Sequence, residues 1–203
     1  MKKLGVFFVF LAVAVVSGFL FVPDAQAANS AGKSLSLPQP QIAGGKPLME
    51  ALAARSANRR FADKPVSNQE LSNLLWATWG INRPDGRRTA PTARNTQAIQ
   101  VYVALDNGVW LYDAAKNELV LALAQDTRAK FGGAPVTLLF AVPEADKFGS
   151  MHAGSLYQNA GLYCASSGLA NVVKASGADA LKGLLSLPPG YAVVIIQAIG
   201  WPQ

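Results

Sequence analysis

Residues 191–200, YAVVIIQAIG, are ten residues with one polar side chain, Gln197, in an almost unbroken apolar run. A run of this length and β-branched content reads as a closing strand buried on both faces. PVTLLFAV, 135–142, has the same character and is read as a second buried strand. IQVYVAL (99–105) and VWLYD (109–113) flank Asp106-Asn107-Gly108, the turn chemistry of a β-hairpin.

Helical signals alternate with these strands. KPLMEALAARS places Leu48, Leu52 and Arg55 at helical spacing, so Arg55 falls near a helix C-terminus, where a cation also suits the helix dipole. SNQE, 67–70, is a capping box, followed by a stripe of Leu71, Leu74, Leu75 and Trp79 that Gly80 ends. Residues 151–167 form a helix rich in small side chains, with Ala153, Tyr157, Ala160, Gly161, Cys164 and Ser167 able to lie on one side. ADALKGLLSL (178–187) reads as a short helix, and residues 81–97 as a long loop of the kind that is usually functional. Interspersed helices and strands with an antiparallel hairpin define an α+β fold, a mixed sheet flanked by helices.

The first 27 residues read as an export signal: Lys2 and Lys3, an apolar run from Leu4 to Val16, and a small-x-small site at Ala25 to Ala27. An uncleaved membrane anchor is the alternative. Cleavage after Ala27 makes the protein exported and periplasmic. Residues 28–45, rich in Ala, Ser, Gly, Pro and Gln, read as a flexible leader, and 46–203 as one domain. Without Lys2, Lys3 and Asp24 the chain carries 16 basic and 11 acidic side chains, a net +5. That balance suits anionic ligands, but it lacks the basic runs and interleaved aromatics of a nucleic-acid binder. The one histidine, His152, is insufficient for a histidine zinc site or a nucleophilic triad with its own partners, and no metal is expected. It reads as a surface or capping residue. The one cysteine, Cys164, reads as a small core residue and excludes an intrachain disulfide.

RSANRRF, 55–61, concentrates three arginines in a chain with only 15% charged residues. Taken with TARNTQ (92–97), YQNAGLYCASSGLANV (157–172) and IGWP (199–202), in that order, it resembles the nitroreductase family of flavoproteins over nearly the whole domain. The resemblance implies a homodimer that holds FMN in sites built from both subunits. It implies FMN contacts from Arg55, Ser56, Ala57 and Arg59, with Ser56 where a second arginine is usual and Ala57 at the serine position. Pro91, Thr92 and Asn95 match a loop reaching the flavin from the second subunit. Gly168 and Leu169 match a turn against the flavin ring, Ala170 replacing a glycine. Gln158 and Asn159 match a helical pair of structural or ligand-contacting role. Arg88 and Arg94 read as exposed loop charges. Many relatives carry a basic tail beyond this point; with Gln203 last, phosphate binding is expected to rest on Arg55 and Arg59.

Guanidinium groups pair bidentately with phosphate, and a cation at the pyrimidine edge raises a flavin's potential. The implied activity is ping-pong oxidoreduction of a small nitro-, quinone- or heterocycle-type substrate. NAD(P)H is the family's usual donor but sits in the wrong compartment for an exported protein, and no dinucleotide fingerprint is present. The alternatives are an azoline-type dehydrogenase of a peptide or heterocycle, or a flavin-binding protein without turnover. No catalytic residue is assigned.

Overall fold

The computed structural model describes residues 32–203, and among these three α-helices and seven strands build the fold. The proposed signal segment lies outside the described residues. The strands are β1 (Ser34–Ser36), β2 (Gln100–Leu105), β3 (Gly108–Asp113), β4 (Glu118–Leu123), β5 (Val136–Pro143), β6 (Ala170–Lys174) and β7 (Tyr191–Gly200). The helices are α1 (Leu48–Ala54), α2 (Asn68–Trp79) and α3 (Gly149–Ser167). The sheet order is β1-β4-β3-β2-β5-β7-β6.

The α+β class holds. The expected mixture of parallel and antiparallel ladders does not, because every pair is antiparallel. The reason lies in β7. β5 and β6 run parallel and are joined through α3, but β7 inserts between them and pairs with both. That central place explains its continuous apolar run: Ile199 faces one core and Ile196 the other. Strand periodicity does the same in β2, where Val101 and Val103 point to one side and Tyr102 and Ala104 to the other.

α2 and α3 cover one face. Leu71, Leu74, Leu75 and Trp79 from α2, and Ala153, Leu156, Ala160 and Cys164 from α3, pack on Val101, Trp110, Leu138 and Phe140. The capping box is present in both directions: the Ser67 amide donates to Glu70 Oε2 at 2.7 Å, and the Glu70 amide to Ser67 Oγ at 3.2 Å. The opposite face is covered by single turns, not by a full helix. Residues 178–187 form only a 3₁₀ turn, Ala178–Leu181. Left-handed Gly177 and Gly183 bracket it, which stops a longer helix while still placing Leu181 and Leu185 in the second core.

The segment expected as a flexible leader is ordered over much of its length. β1 pairs with the outer edge of β4, Leu37 is buried, and Pro38 accepts from Ser72 Oγ and Asn117 Nδ2. The Gln41 amide donates to Asn73 Oδ1 at 2.7 Å. An open strand edge on β4 and the polar end of α2 capture this chain, whose own composition carries no strand pattern. Among the described residues no helix is long and apolar enough to cross a membrane.

Candidate functional site

α3 ends at Ser167, and Gly168 follows in the left-handed conformation (φ 81°), where its own amide and that of Leu169 both reach the Cys164 carbonyl. The chain drops from there into β6. The arginine stretch lies against this point. Arg55 caps α1, and its φ and ψ (−59°, 120°) take the chain out of the helix. Three residues on, the Asn58 amide donates to the Asn171 carbonyl at 2.8 Å. Asn58 Oδ1 accepts from the Arg60 amide, and Phe61 then bridges to Pro202. Residues 55–61 are thus clamped beside β6 and the C-terminal end of α3. A cleft of about 150 Å³ opens there between Ser56, Asn58, Ala165, Leu169, Asn171 and Pro202.

Arg55, Ser56, Ala57 and Arg59 are exposed, and so is Gly168; Leu169 is buried. Among the described residues no carboxylate lies within ion-pairing distance of Arg55, Arg59 or Arg60. Arg55 and Arg59, exposed and without an ion pair among the described residues, are chemically suited to a phosphate. The cleft is well below the 300–1,000 Å³ typical of a small-molecule pocket.

Pro91, Thr92 and Asn95 are elsewhere. Their loop docks on the opposite end of α3, where the Ala93 amide donates to His152 Nε2 at 2.8 Å. Arg94, Asn95 and Gln97 all have positive φ (55°, 54°, 47°), a cluster unusual for residues other than glycine. Side chains hold this shape: the Gln97 amide donates to Thr92 Oγ1, and Gln97 Nε2 to Asn95 Oδ1, both at 3.1 Å. Arg88 completes the support, donating to Gln97 Oε1 at 2.7 Å and to the Trp79 carbonyl at 2.9 Å, with its guanidinium 4.6 Å above the Trp79 ring. Arg88 is therefore a half-buried strut rather than an exposed loop charge, and burial lowers its pKa against the pull of Tyr112 and Asp113. Arg94 is exposed as expected. Asn159 Nδ2 donates to the Thr89 carbonyl, a structural role, and Gln158 is exposed.

His152 is not a surface residue. It is 6% exposed, and Asp146 Oδ2 stands 3.3 Å from its Nδ1. Sequence reading missed it because the two groups that bury it, the 92–97 loop and the turn before α3, come from distant or irregular segments. Asn58 was equally invisible, since its role is a backbone bond to a strand that was not foreseen. Cys164 is fully buried as expected, and burial pushes its thiol pKa well up. Among the described residues no cluster of His, Cys, Asp and Glu is placed to hold a metal ion.

The profile of the Nitroreductase family matches residues 52–201. A protein of Ralstonia eutropha, solved by crystallography as a nitroreductase, superposes with a TM-score of 0.77 at 34% identity, over 84% of this chain and 90% of its own. A relative from Methanocaldococcus jannaschii that carries the nitroreductase name is 26% identical over 167 residues, which are 70% of this chain and 84% of that protein. A nitroreductase from Bacteroides fragilis, crystallised with bound FMN, shares the fold with a TM-score of 0.56 at 16% identity, covering 78% of this chain and 89% of its own.

Proposed function

The chain belongs to the nitroreductase family of flavin-dependent oxidoreductases, and from that premise we propose that it acts as an exported homodimer holding FMN in two sites, each walled by both subunits. The observation that carries this reading is the separation of the two half-sites. His152 and Gly168 mark the ends at which they sit, sixteen residues apart on α3. At 1.5 Å per residue that is about 24 Å along the helix, which argues against Asn95 and Arg59 of one subunit closing on the same end of one ligand. A second copy running antiparallel along α3 brings one subunit's Asn95 loop to the other's arginines. α1 supports this arrangement. Leu48 and Met49 are 64% and 74% exposed, although the sequence spacing suggests a helix with an apolar face to bury. Ile42 and Met151 add to the uncovered apolar surface.

In this reading Arg55 and Arg59 hold the phosphate and the pyrimidine edge. Ser56 lines the cleft, and Ala57 is the exposed residue that follows it. Gly168 and Leu169 set backbone against the ring, a Cβ at position 168 being excluded by the left-handed φ more than by space. Pro91, Thr92 and Asn95 close the site from the partner. FMN supplies the hydride-carrying chemistry when bound; the protein contributes orientation, charge and exclusion of water. Donor and acceptor then occupy one pocket in succession, the ping-pong order, and a small nitro-, quinone- or heterocycle-type acceptor fits a pocket with no dedicated nucleotide domain. Export rests on the Lys2–Ala27 signal, with a mature start at Ala28.

Anaerobic reduction of the FMN-loaded protein tests the activity. Bleaching by NADH or another small hydride donor is the expected result. Bleaching only by a peptide-borne or free azoline assigns the dehydrogenase reading, and a flavin that no donor bleaches assigns a binder without turnover.

A further inference from the structure

The mechanism outlined above leaves His152 unused, yet it is the only histidine and is almost wholly buried. Its Nε2 accepts the Ala93 amide, so in the neutral ring the proton must sit on Nδ1, facing the Asp146 carboxylate. Asp146 is itself fixed, because its Oδ1 accepts the Phe148 amide at 2.9 Å in the turn that leads into α3. The chain that His152 grips is the one with three non-glycine residues at positive φ, a shape that persists only when its surroundings over-determine it. Gln97 and Arg88 restrain one end of that loop, and Ala93 is where the other end meets the body of the protein.

We propose that His152, backed by Asp146, is a positioning residue for the flavin site: it fixes the Thr92–Gln97 loop in the strained shape that presents Asn95 to the partner's flavin. This rests on the shared FMN site proposed above. The imidazole never touches the flavin; it acts through Ala93. Of the twenty side chains, few offer both an acceptor at this reach and a donor behind it. Gln keeps the acceptor and loses the donor geometry toward Asp146; Leu loses both.

The experiment compares wild type, His152→Gln and His152→Leu, with FMN and riboflavin titrations, the spectrum and midpoint potential of the bound flavin, and hydrogen exchange at the Ala93 amide. His152→Leu is expected to weaken FMN and riboflavin by the same factor, roughly three- to tenfold, because the loop meets the ring and not the phosphate. It is also expected to shift the spectrum and midpoint potential of the flavin that remains bound. His152→Gln is expected to recover affinity to within about twofold of wild type. The Ala93 amide is expected to be protected in the wild-type protein and to exchange freely in His152→Leu. Normal flavin binding by folded His152→Leu, alongside a wild type that binds, overturns the positioning role alone. An Ala93 amide that exchanges freely in the wild type overturns it even where the leucine variant fails to fold. A wild-type protein that binds no flavin instead overturns the shared-site reading beneath it.

Discussion

The backbone amide of Asn58 donates to the carbonyl of Asn171 at 2.8 Å, joining the arginine stretch to the start of β6 just beyond Gly168. That single bond determines which parts of the sequence can share a ligand. It puts Arg55 and Arg59 at the C-terminal end of α3 and leaves the Asn95 loop at the other, the separation on which the proposal of a site completed by a second chain rests.

The arginines provide a quantitative test. Arg55→Ala and Arg59→Ala are each expected to raise the FMN dissociation constant roughly ten- to hundredfold, the effect of losing one charge-assisted hydrogen bond. Arg60→Ala is expected to change it by less than about threefold, as at ordinary surface positions. Isothermal titration with riboflavin separates the roles. An arginine on the phosphate leaves riboflavin affinity unchanged, while one at the pyrimidine edge weakens both ligands. Equal small effects from all three variants would return the cluster to an ordinary solvated helix end.

Tyr112 makes the protein alkali-sensitive. Burial pushes its phenol up to about 12, with Arg88 opposing and Asp113 adding. An unfolded phenol ionises near pH 10, so the unfolded chain loses its proton first. Stability from this group is therefore intact below pH 10 and falls as pH rises from 10 to about 12, by about 3 kcal/mol in all. Denaturant unfolding of wild type and Tyr112→Phe across that range is expected to show a flatter curve for the variant. Parallel curves would contradict the assignment.

Cys164 is expected to be chemically silent. With the thiol fully buried in α3 and its ionisation pushed up, iodoacetamide at pH 8 should leave the folded protein unlabelled, while denatured protein takes up one label per chain. Mass spectrometry reads the difference. Labelling of the native protein at the rate of free cysteine would mean that α3 opens far more readily than its packing indicates.

What could be read ahead of the structure divides along physical lines. β5, β7, the hairpin at Gly108 and the capping box at Ser67 were legible because each is specified by residues adjacent in sequence: an apolar run, a turn dipeptide, a reciprocal side-chain bond. β1 and β6 were not. Ser34–Ser36 has no pattern of its own and becomes strand only because β4 offers an edge; β6 begins two residues after Gly168, inside what reads locally as a turn. β4 carries no comparable signal in ELVLAL, and its pairing with β3 is interrupted at Val109 and Trp110. At the site, the arginine cluster and the Gly168 turn were visible as composition and motif. His152 and Asn58 were not, because their contacts join segments far apart in the chain, and nothing near either residue in sequence announces the partner.

The central claim is that each FMN site takes Arg59 from one subunit and Asn95 from the other, and subunit mixing tests it most directly. Arg59→Ala and Asn95→Ala homodimers are each expected to bind FMN weakly. When the two are unfolded together and refolded, the mixed dimer has one site with both lesions and one with neither. Random pairing then restores wild-type affinity to about one site in four, since half the dimers are mixed and half their sites are intact. Recovery of that tight-binding fraction is the predicted result. No recovery on mixing, or stoichiometric FMN on a monomer by light scattering, would contradict a site shared between two chains.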